Sequence, residues 1–164
     1  MVTRESIVAI AKAEIGTKEN PKNSNKTKYG EWFGWNGVAW CGIFVSWVFY
    51  KAGINLGKYK LGFTKGFAGC DTALAKFRAM GMATVNPMPG DIVFFQFDSD
   101  PGAEHVGIYA ERLGPDLHYI IEGNTTAEGV TGSQSDGGEV CLRKRKQALV
   151  LEFISIKKLL DGSI

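Results

Sequence analysis

Cys41 is the residue in this sequence best placed to act as a nucleophile. It follows an aromatic, glycine-containing loop at residues 32–37 and begins an apolar stretch that is predicted to be helical. The first turn of a helix carries unpaired N–H groups and a partial positive charge, which lower the pKa of a thiol and can stabilise an oxyanion. Cys70 and Cys141 lack this setting, so we interpret them as core residues.

A cysteine nucleophile needs a base, and the chain contains two histidines, His105 and His118. Folding the predicted hairpin symmetrically about Leu113-Gly114 places His105 opposite Glu122, where a carboxylate would orient the imidazole. Asn124 lies two residues further along the strand and is expected to share that face. His118 comes just after the turn and is interpreted as a solvated or half-buried residue.

The same register has two further consequences. It places Tyr109 opposite His118, and a slip of one residue would move every side chain of the strand to the other face. Gly107 lies two residues after His105 and leaves space on its face. A helix carrying Cys41 could therefore pack closely there.

Tryptophans cluster around the candidate nucleophile. Trp35 and Trp40 precede Cys41 and could, with Trp32, line a groove that binds a sugar or a peptide. Packing in the core is the alternative interpretation of these three residues. The basic run at residues 143–146 is interpreted as a solvated strand end.

The element pattern indicates an α+β domain, with helices first and a small antiparallel sheet after them. Thr3 is a candidate cap for the first helix, which Gly16 ends. Residues 17–31 are polar and predicted to be a loop, and five glycines predict another at 123–138. Further helices are predicted at 41–52 and 71–80, and strands at 91–96, 106–110, 118–121, 141–143 and 149–156.

The composition fits one globular domain spanning residues 1–164. Hydrophobic residues make up 45% and charged residues 22%, and the net charge of +2 argues against a dedicated nucleic-acid binder. Three cysteines without close spacing predict neither a disulfide framework nor a zinc site. The longest apolar run is too short to insert into a membrane, and no signal peptide is evident at the N-terminus.

Four segments, taken in order, resemble the CHAP domain family of cysteine- and histidine-dependent amidohydrolases/peptidases, which are related to the NlpC/P60 enzymes. They are WCGIFVSW at residues 40–47, PGDIVFF at 89–95, HVGIY at 105–109 and IEGNT at 121–125. The resemblance covers roughly residues 1–156 and implies a papain-like fold with the N-terminal helices packed on the sheet. Some members carry acidic calcium ligands before the cysteine, but residues 31–40 hold a single acid, so we expect no metal and no cofactor.

The resemblance also implies a function, namely the cleavage of an amide in bacterial peptidoglycan. The bond would lie within the peptide or join the peptide to muramic acid, as in an endopeptidase or an N-acetylmuramoyl-L-alanine amidase. Cys41 would be the nucleophile and His105 the base and then the acid, while Glu122 and Asn124 would orient His105. Because Trp40 directly precedes Cys41, a backbone N–H near Cys41 is the candidate oxyanion donor.

A free thiol, a wall substrate and the lack of a signal peptide together predict a phage endolysin. Such a protein would be a monomer made in the host cytoplasm and would act on the cell wall after release. Two alternatives stay open at this stage. One is a toxin or effector that cleaves a non-wall amide with the same residues, and the other is a non-catalytic glycan-binding module that uses the tryptophans.

Overall fold

The computed structural model describes residues 1–164 and contains five α-helices and six β-strands. The helices are α1 (Arg4–Ala13), α2 (Lys28–Phe33), α3 (Cys41–Ala52), α4 (Cys70–Ala79) and α5 (Lys157–Asp161). The strands are β1 (Ala83–Thr84), β2 (Ile92–Phe95), β3 (His105–Gly114), β4 (Leu117–Thr125), β5 (Glu139–Lys146) and β6 (Val150–Ile154). This is the predicted α+β fold, in which helices pack on an antiparallel sheet.

The six strands form one antiparallel sheet in the order β1-β6-β2-β3-β4-β5. The long hairpin of β3 and β4 lies between β2 and β5, and its antiparallel pairing makes residues at the start of β3 and the end of β4 neighbours. No helix is both long and apolar enough to span a lipid bilayer.

Helix α3 is the central helix of the main core, as its sequence predicts. Eight of its twelve residues are buried, which explains why it is apolar on nearly all sides. Gly53 ends it in a left-handed conformation at φ 102°. The helix therefore begins at Cys41 and packs on β3 and β4.

The sheet buries side chains on both faces. One face packs on the helices, and its members include Val106, Ile108 and Ile121. The other face carries a smaller cluster that includes Phe95, Tyr109 and Ile120. Residues at the start of β3 and at the end of β4 are therefore buried whichever face of the sheet they lie on.

Several local predictions need correction. The predicted loop at 17–31 and the aromatic loop at 32–37 contain α2, whose N-cap is Thr27 and which ends at Gly34. Helix α4 begins at Cys70, one residue before the predicted start at residue 71, and Gly69 is its N-cap. The carboxylate of Asp71 accepts a hydrogen bond from Ala103 N. The central hairpin strands are longer than predicted, and β1 and α5 were missed.

Gly123 allows α3 to lie close to β4, and we expect Gly123→Ala to destabilise the fold. A Cβ at this position would lie 2.7 Å from Cβ of Phe44 and 2.8 Å from Cζ3 of Trp40. Such overpacking costs about 1–3 kcal/mol, so thermal unfolding should show a midpoint lowered by roughly 3–10 °C. Gly138→Ala is the control, since its Cβ would meet nothing closer than 3.8 Å. Equal midpoints for the two variants would contradict this view of α3 packing.

Candidate active site

Cys41 is the first residue of α3, and no side chain caps this helix because Trp40 occupies the N-cap position. The N–H groups of the first turn are therefore directed at the region of the thiol. The N–H of Gly42 interacts with the sulfur and helps to lower the pKa of Cys41. The residue is 4% exposed, so it lies just beneath the surface.

A second thiol lies against the first. Cys70 is the first residue of α4, and its sulfur lies 3.9 Å from that of Cys41. The N-termini of two helices therefore meet at the pair of sulfur atoms. The sequence did not predict this contact, because Cys70 was interpreted as an isolated core residue.

His105 is the first residue of β3 and is completely buried. Its Nε2 lies 3.0 Å from Oε2 of Glu122. Its Nδ1 is buried without a regular hydrogen bond, and His105 and Cys41 are close enough to shift each other's pKa. The imidazole therefore interacts with the carboxylate on one side and the thiol on the other.

The structure corrects the predicted register of the hairpin. Tyr109 pairs with Ile120, two residues away from the predicted partner. The turn is formed by Pro115-Asp116, because Gly114 pairs with Leu117, and two register irregularities follow along the strands. A shift by two residues leaves every side chain on its predicted face.

Gly107 accommodates the contact between His105 and Glu122 in this corrected register. A Cβ at Gly107 would lie 2.6 Å from Ile120 Cγ2 and 2.9 Å from Glu122 Cγ. The side chain of Glu122 uses the space that the missing Cβ leaves. The prediction that α3 packs at Gly107 is therefore wrong.

Arg145 of β5 holds the carboxylate of Glu122 from the other side, and the sequence interpretation missed it. Its Nε donates to Glu122 Oε1 at 2.7 Å and its Nη2 to Oε2 at 2.6 Å. The guanidinium lies 5.0 Å from the ring centre of Phe97 and 5.6 Å from that of Phe95, and Arg145 is 3% exposed. The basic run at 143–146 is therefore not a solvated strand end, since its first and third residues are buried.

The charges in this cluster favour a thiolate and an imidazolium. The hydrogen bond with Cys70 is the largest influence that lowers the pKa of Cys41; burial opposes it and His105 reinforces it. Burial alone would lower the pKa of His105, but the charge of Glu122 and the interaction with Cys41 outweigh it and raise the pKa to about 9. Burial would raise the pKa of Glu122, but Arg145 and His105 reverse this and hold it below its usual range.

Cys41 should therefore be alkylated at a lower pH than an ordinary thiol. A lowered pKa keeps the reactive thiolate populated as the pH falls below about 8.5, the usual value for cysteine. Cys141 is an internal control, because burial and Glu139 raise its pKa to about 12. Iodoacetamide labelling of each cysteine, measured by peptide mass spectrometry across pH, tests this. A labelling midpoint for Cys41 at or above the ordinary value would contradict the ion-pair arrangement.

Asn124 forms no hydrogen bond with His105, which does not support the predicted role of Asn124 in orienting the ring. Its side-chain amide donates to the carbonyl of Ser135 at 3.2 Å and lies 3.5 Å from a carboxylate oxygen of Asp136. Its backbone is left-handed at φ 57°, so the strand no longer alternates regularly here. The side chain of Asn124 instead connects the end of β4 by hydrogen bonds to the loop that precedes β5.

Trp40 is not available to a substrate, which corrects the prediction that it lines a groove. It is completely buried, its Nε1 donates to Glu19 Oε1 at 3.0 Å, and it stacks on Tyr29 with ring centres 5.6 Å apart.

His118 is also buried, which corrects the prediction that it is solvated or half-buried. Its Nε2 lies 2.8 Å from Gln147 Oε1.

Trp35 is 47% exposed and lines a groove of about 340 Å³. Its ring lies 5.4 Å from that of Phe63, centre to centre. Most of the lining is apolar, and Ala39 and Gly69 bring the groove to the starts of α3 and α4. The groove is therefore lined by residues that precede both cysteines in the chain, although neither cysteine lines it.

A papain-like fold with a helix-initiating cysteine, a strand-initiating histidine and a buried carboxylate defines the class of the cysteine hydrolases. The sequence model of the CHAP domain matches residues 32–124, which is more than half of the chain. The protein therefore belongs to the CHAP domain family, the cysteine- and histidine-dependent amidohydrolases/peptidases. No individual curated protein shows a significant match.

The matched segment contains Cys41, Cys70, His105 and Glu122 and stops before Arg145. No three metal-ligating side chains (His, Cys, Asp or Glu) are grouped as a metal site would require. That the protein needs no metal and no cofactor stays a prediction.

Proposed function

We propose that this protein hydrolyses an amide bond in bacterial peptidoglycan, with Cys41 as the nucleophile. The observation that carries the proposal is the alignment of thiol, imidazole and carboxylate beside an open groove in a CHAP domain. Glu122 is ionised and hydrogen bonded to Nε2 of His105, so Nδ1 is the nitrogen left to interact with Cys41. Substrate specificity, site of action and catalytic roles are all part of this proposal.

In the proposed mechanism the Cys41 thiolate attacks the carbonyl carbon of the scissile amide. The N–H groups of the first turn of α3 stabilise the resulting oxyanion, because no side chain of the protein competes for them. The imidazolium of His105 then protonates the leaving amine, and a thioester remains on Cys41. His105, now neutral, deprotonates a water molecule that hydrolyses the thioester. Glu122 stays ionised and keeps the ring in position throughout.

The groove supports a substrate with both apolar and polar parts. Its walls are formed mostly by apolar side chains, and the exposed rings of Trp35 and Phe63 stand at its edge. Aromatic rings of this kind bind the faces of sugars or the aliphatic parts of short peptides. Peptidoglycan provides both next to its amide bonds.

Trp35→Ala should weaken substrate binding without affecting the chemical step. We expect KM to rise by about 5- to 30-fold, corresponding to about 1–2 kcal/mol of lost contact, while kcat changes little. The matched control is Tyr50→Ala, since Tyr50 is 49% exposed and does not line the groove. Kinetics on soluble muropeptides measures both constants. A fall in kcat at constant KM would contradict a binding role.

Muropeptide mass spectrometry tests the proposed function directly. Purified walls of several peptidoglycan types are digested with the parent protein and with Cys41→Ala. New free amino and carboxyl groups in the peptide, or release of the peptide from muramic acid, are expected with the parent alone. Unchanged muropeptides from every wall, together with cleavage of a different amide such as glutathionylspermidine, would instead favour the toxin or effector alternative.

The endolysin role is tested by expression inside a bacterial host. If the protein acts on the wall after release, co-expression with a membrane-permeabilising holin should lyse the culture, and Cys41→Ala should not. Intact cells in both cultures, despite active protein in the extract, would contradict that role.

A further inference from the structure

Cys41 and Cys70 form a pair of thiols in contact at the edge of the groove. Their sulfur atoms lie 3.9 Å apart, and the two residues are 4% and 7% exposed. Each is the first residue of a helix, so two partial positive charges meet at the sulfurs. All three cysteines are free, and Cys141 lies on β5 outside this pair.

We propose that this pair is a modification site at which hydrogen peroxide converts the two thiols into a reversible Cys41–Cys70 disulfide. The modification itself depends on the geometry of the sulfurs and not on which substrate the protein cleaves. Its consequence for activity rests on the proposed function, because the disulfide would block the nucleophile.

The chemistry takes place in two balanced steps. The Cys41 thiolate attacks one oxygen of the peroxide, the O–O bond breaks, and the departing hydroxide takes the proton of the His105 imidazolium to form water. Cys41 is now a sulfenic acid. The Cys70 sulfur then attacks the Cys41 sulfur, the S–O bond breaks, and the departing hydroxide and the Cys70 proton form a second water. Two thiols lose two electrons in total, which reduce one peroxide.

The two residues have complementary properties for these steps. The pKa of Cys41 is held well below its usual range, and that of Cys70 well above it, first of all because the two share a hydrogen bond. Cys41 is therefore the thiolate that meets the oxidant, and Cys70 is the protonated partner that resolves the product. The low pKa of Cys41 is independently supported by its place at the helix start.

The local structure permits the closure. A disulfide bond is about 2.05 Å long, so the sulfurs must approach each other by about 1.9 Å. The segment that precedes Cys70 is hydrogen bonded to α3 through Ser46. The hydroxyl of Ser46 accepts from Phe67 N at 3.0 Å and donates to Gly42 O at 2.9 Å. Gly69, directly before Cys70, has open space on its Cβ side and lines the groove, which provides a path for peroxide.

The experiment compares the parent with Cys70→Ser and Cys141→Ser after exposure to a small excess of hydrogen peroxide. The parent and Cys141→Ser should lose about 2 Da, yield a cross-linked peptide containing Cys41 and Cys70, and return to the starting mass with dithiothreitol. Cys70→Ser should instead gain about 32 Da at Cys41, the irreversible sulfinic acid. Circular dichroism checks that each variant is folded, and Cys70→Ala replaces the serine variant if it is not.

Two outcomes would overturn the proposal. One is a parent protein that gains oxygen at Cys41 without a cross-linked peptide. The other is a Cys70 variant that is oxidised as reversibly as the parent. Both results are obtained on the protein alone, so they are separate from any failure of the wall-digestion experiment. If the proposed function also holds, the loss and recovery of wall hydrolysis should follow the cross-link.

Discussion

Cys41→Ala is expected to reduce amide hydrolysis by about 10⁴- to 10⁶-fold while leaving the fold intact. Removing the sulfur eliminates the covalent intermediate, and neither of the other two cysteines can replace it. Once Cys41 and its hydrogen bond are gone, burial and the charge of Asp71 still raise the pKa of Cys70, which makes it a poor nucleophile. Residual activity would come from the N–H groups of α3 and from substrate binding alone.

The matched control for this variant is Cys141→Ala, which removes the same atom from an equally buried residue. Cys141 is 5% exposed and lies opposite Glu122 in the pairing of β4 and β5, yet its raised pKa makes it a poor nucleophile. We expect the initial rate of muropeptide cleavage to stay within about 2-fold of the parent, since the cavity costs stability and not chemistry. Comparable losses in the two variants would show that Cys41 acts through packing rather than as the nucleophile.

Much of the candidate site could be predicted because its parts are local. The apolar helix that begins at Cys41 is specified by its own residues and ends at Gly53. The face shared by His105 and Glu122 depends only on the two-residue period of a strand, which survived a register error of two. The contact between His105 and Glu122 was therefore predicted correctly, although the predicted position of the turn was wrong.

The contacts that sequence reasoning missed join segments far apart in the chain. Cys70 lies 29 residues from Cys41 and Arg145 lies 23 residues from Glu122. Neither pairing follows from any local period, because each depends on how α4 or β5 packs. One signal was available for Arg145, since a carboxylate on an inner strand of a sheet is expected to be buried and then requires a cationic partner.

Two tryptophans with similar positions in the sequence differ in their burial. Trp35 and Trp40 both precede Cys41, but Trp40 contacts Tyr29 and Glu19 in the core and Trp35 lines the groove. Trp35 directly follows the left-handed Gly34 that ends α2, whereas Trp40 is the N-cap of α3. A short helix in a polar segment gives little periodic signal, so its end could not be foreseen.

Substitution of Arg145 is the second change with a large expected effect, because Arg145 is the permanently charged partner of Glu122. Both oxygens of the carboxylate accept from the guanidinium, and Oε2 also accepts from His105. Removing the guanidinium in Arg145→Met leaves a buried carboxylate that depends on the imidazole alone. We expect a loss of about 3–5 kcal/mol in the free energy of unfolding, measured by urea denaturation.

Arg145→Lys separates the positioning role from this loss of charge. A lysine keeps the cation but cannot donate two parallel hydrogen bonds, so Glu122 and the ring that it orients become less fixed. Hydrolysis of the proposed substrate by the folded protein is expected to fall about 10- to 100-fold, as is typical when the group supporting a catalytic residue is lost. In Arg145→Met, the loss of positive charge should also raise the pH at which Cys41 is half alkylated.

Arg143→Lys is the control for both measurements. Arg143 lies on the same strand and is 7% exposed, but its guanidinium binds Thr126 O and Gln134 Oε1 and not Glu122. It should change neither the alkylation midpoint of Cys41 nor kcat beyond about 2-fold, although it is expected to lower stability. The comparison decides between two roles for the buried cation. If the two lysine variants lose the same activity, and if Arg145→Met leaves the midpoint of Cys41 unchanged, then Arg145 serves the fold and does not position the carboxylate.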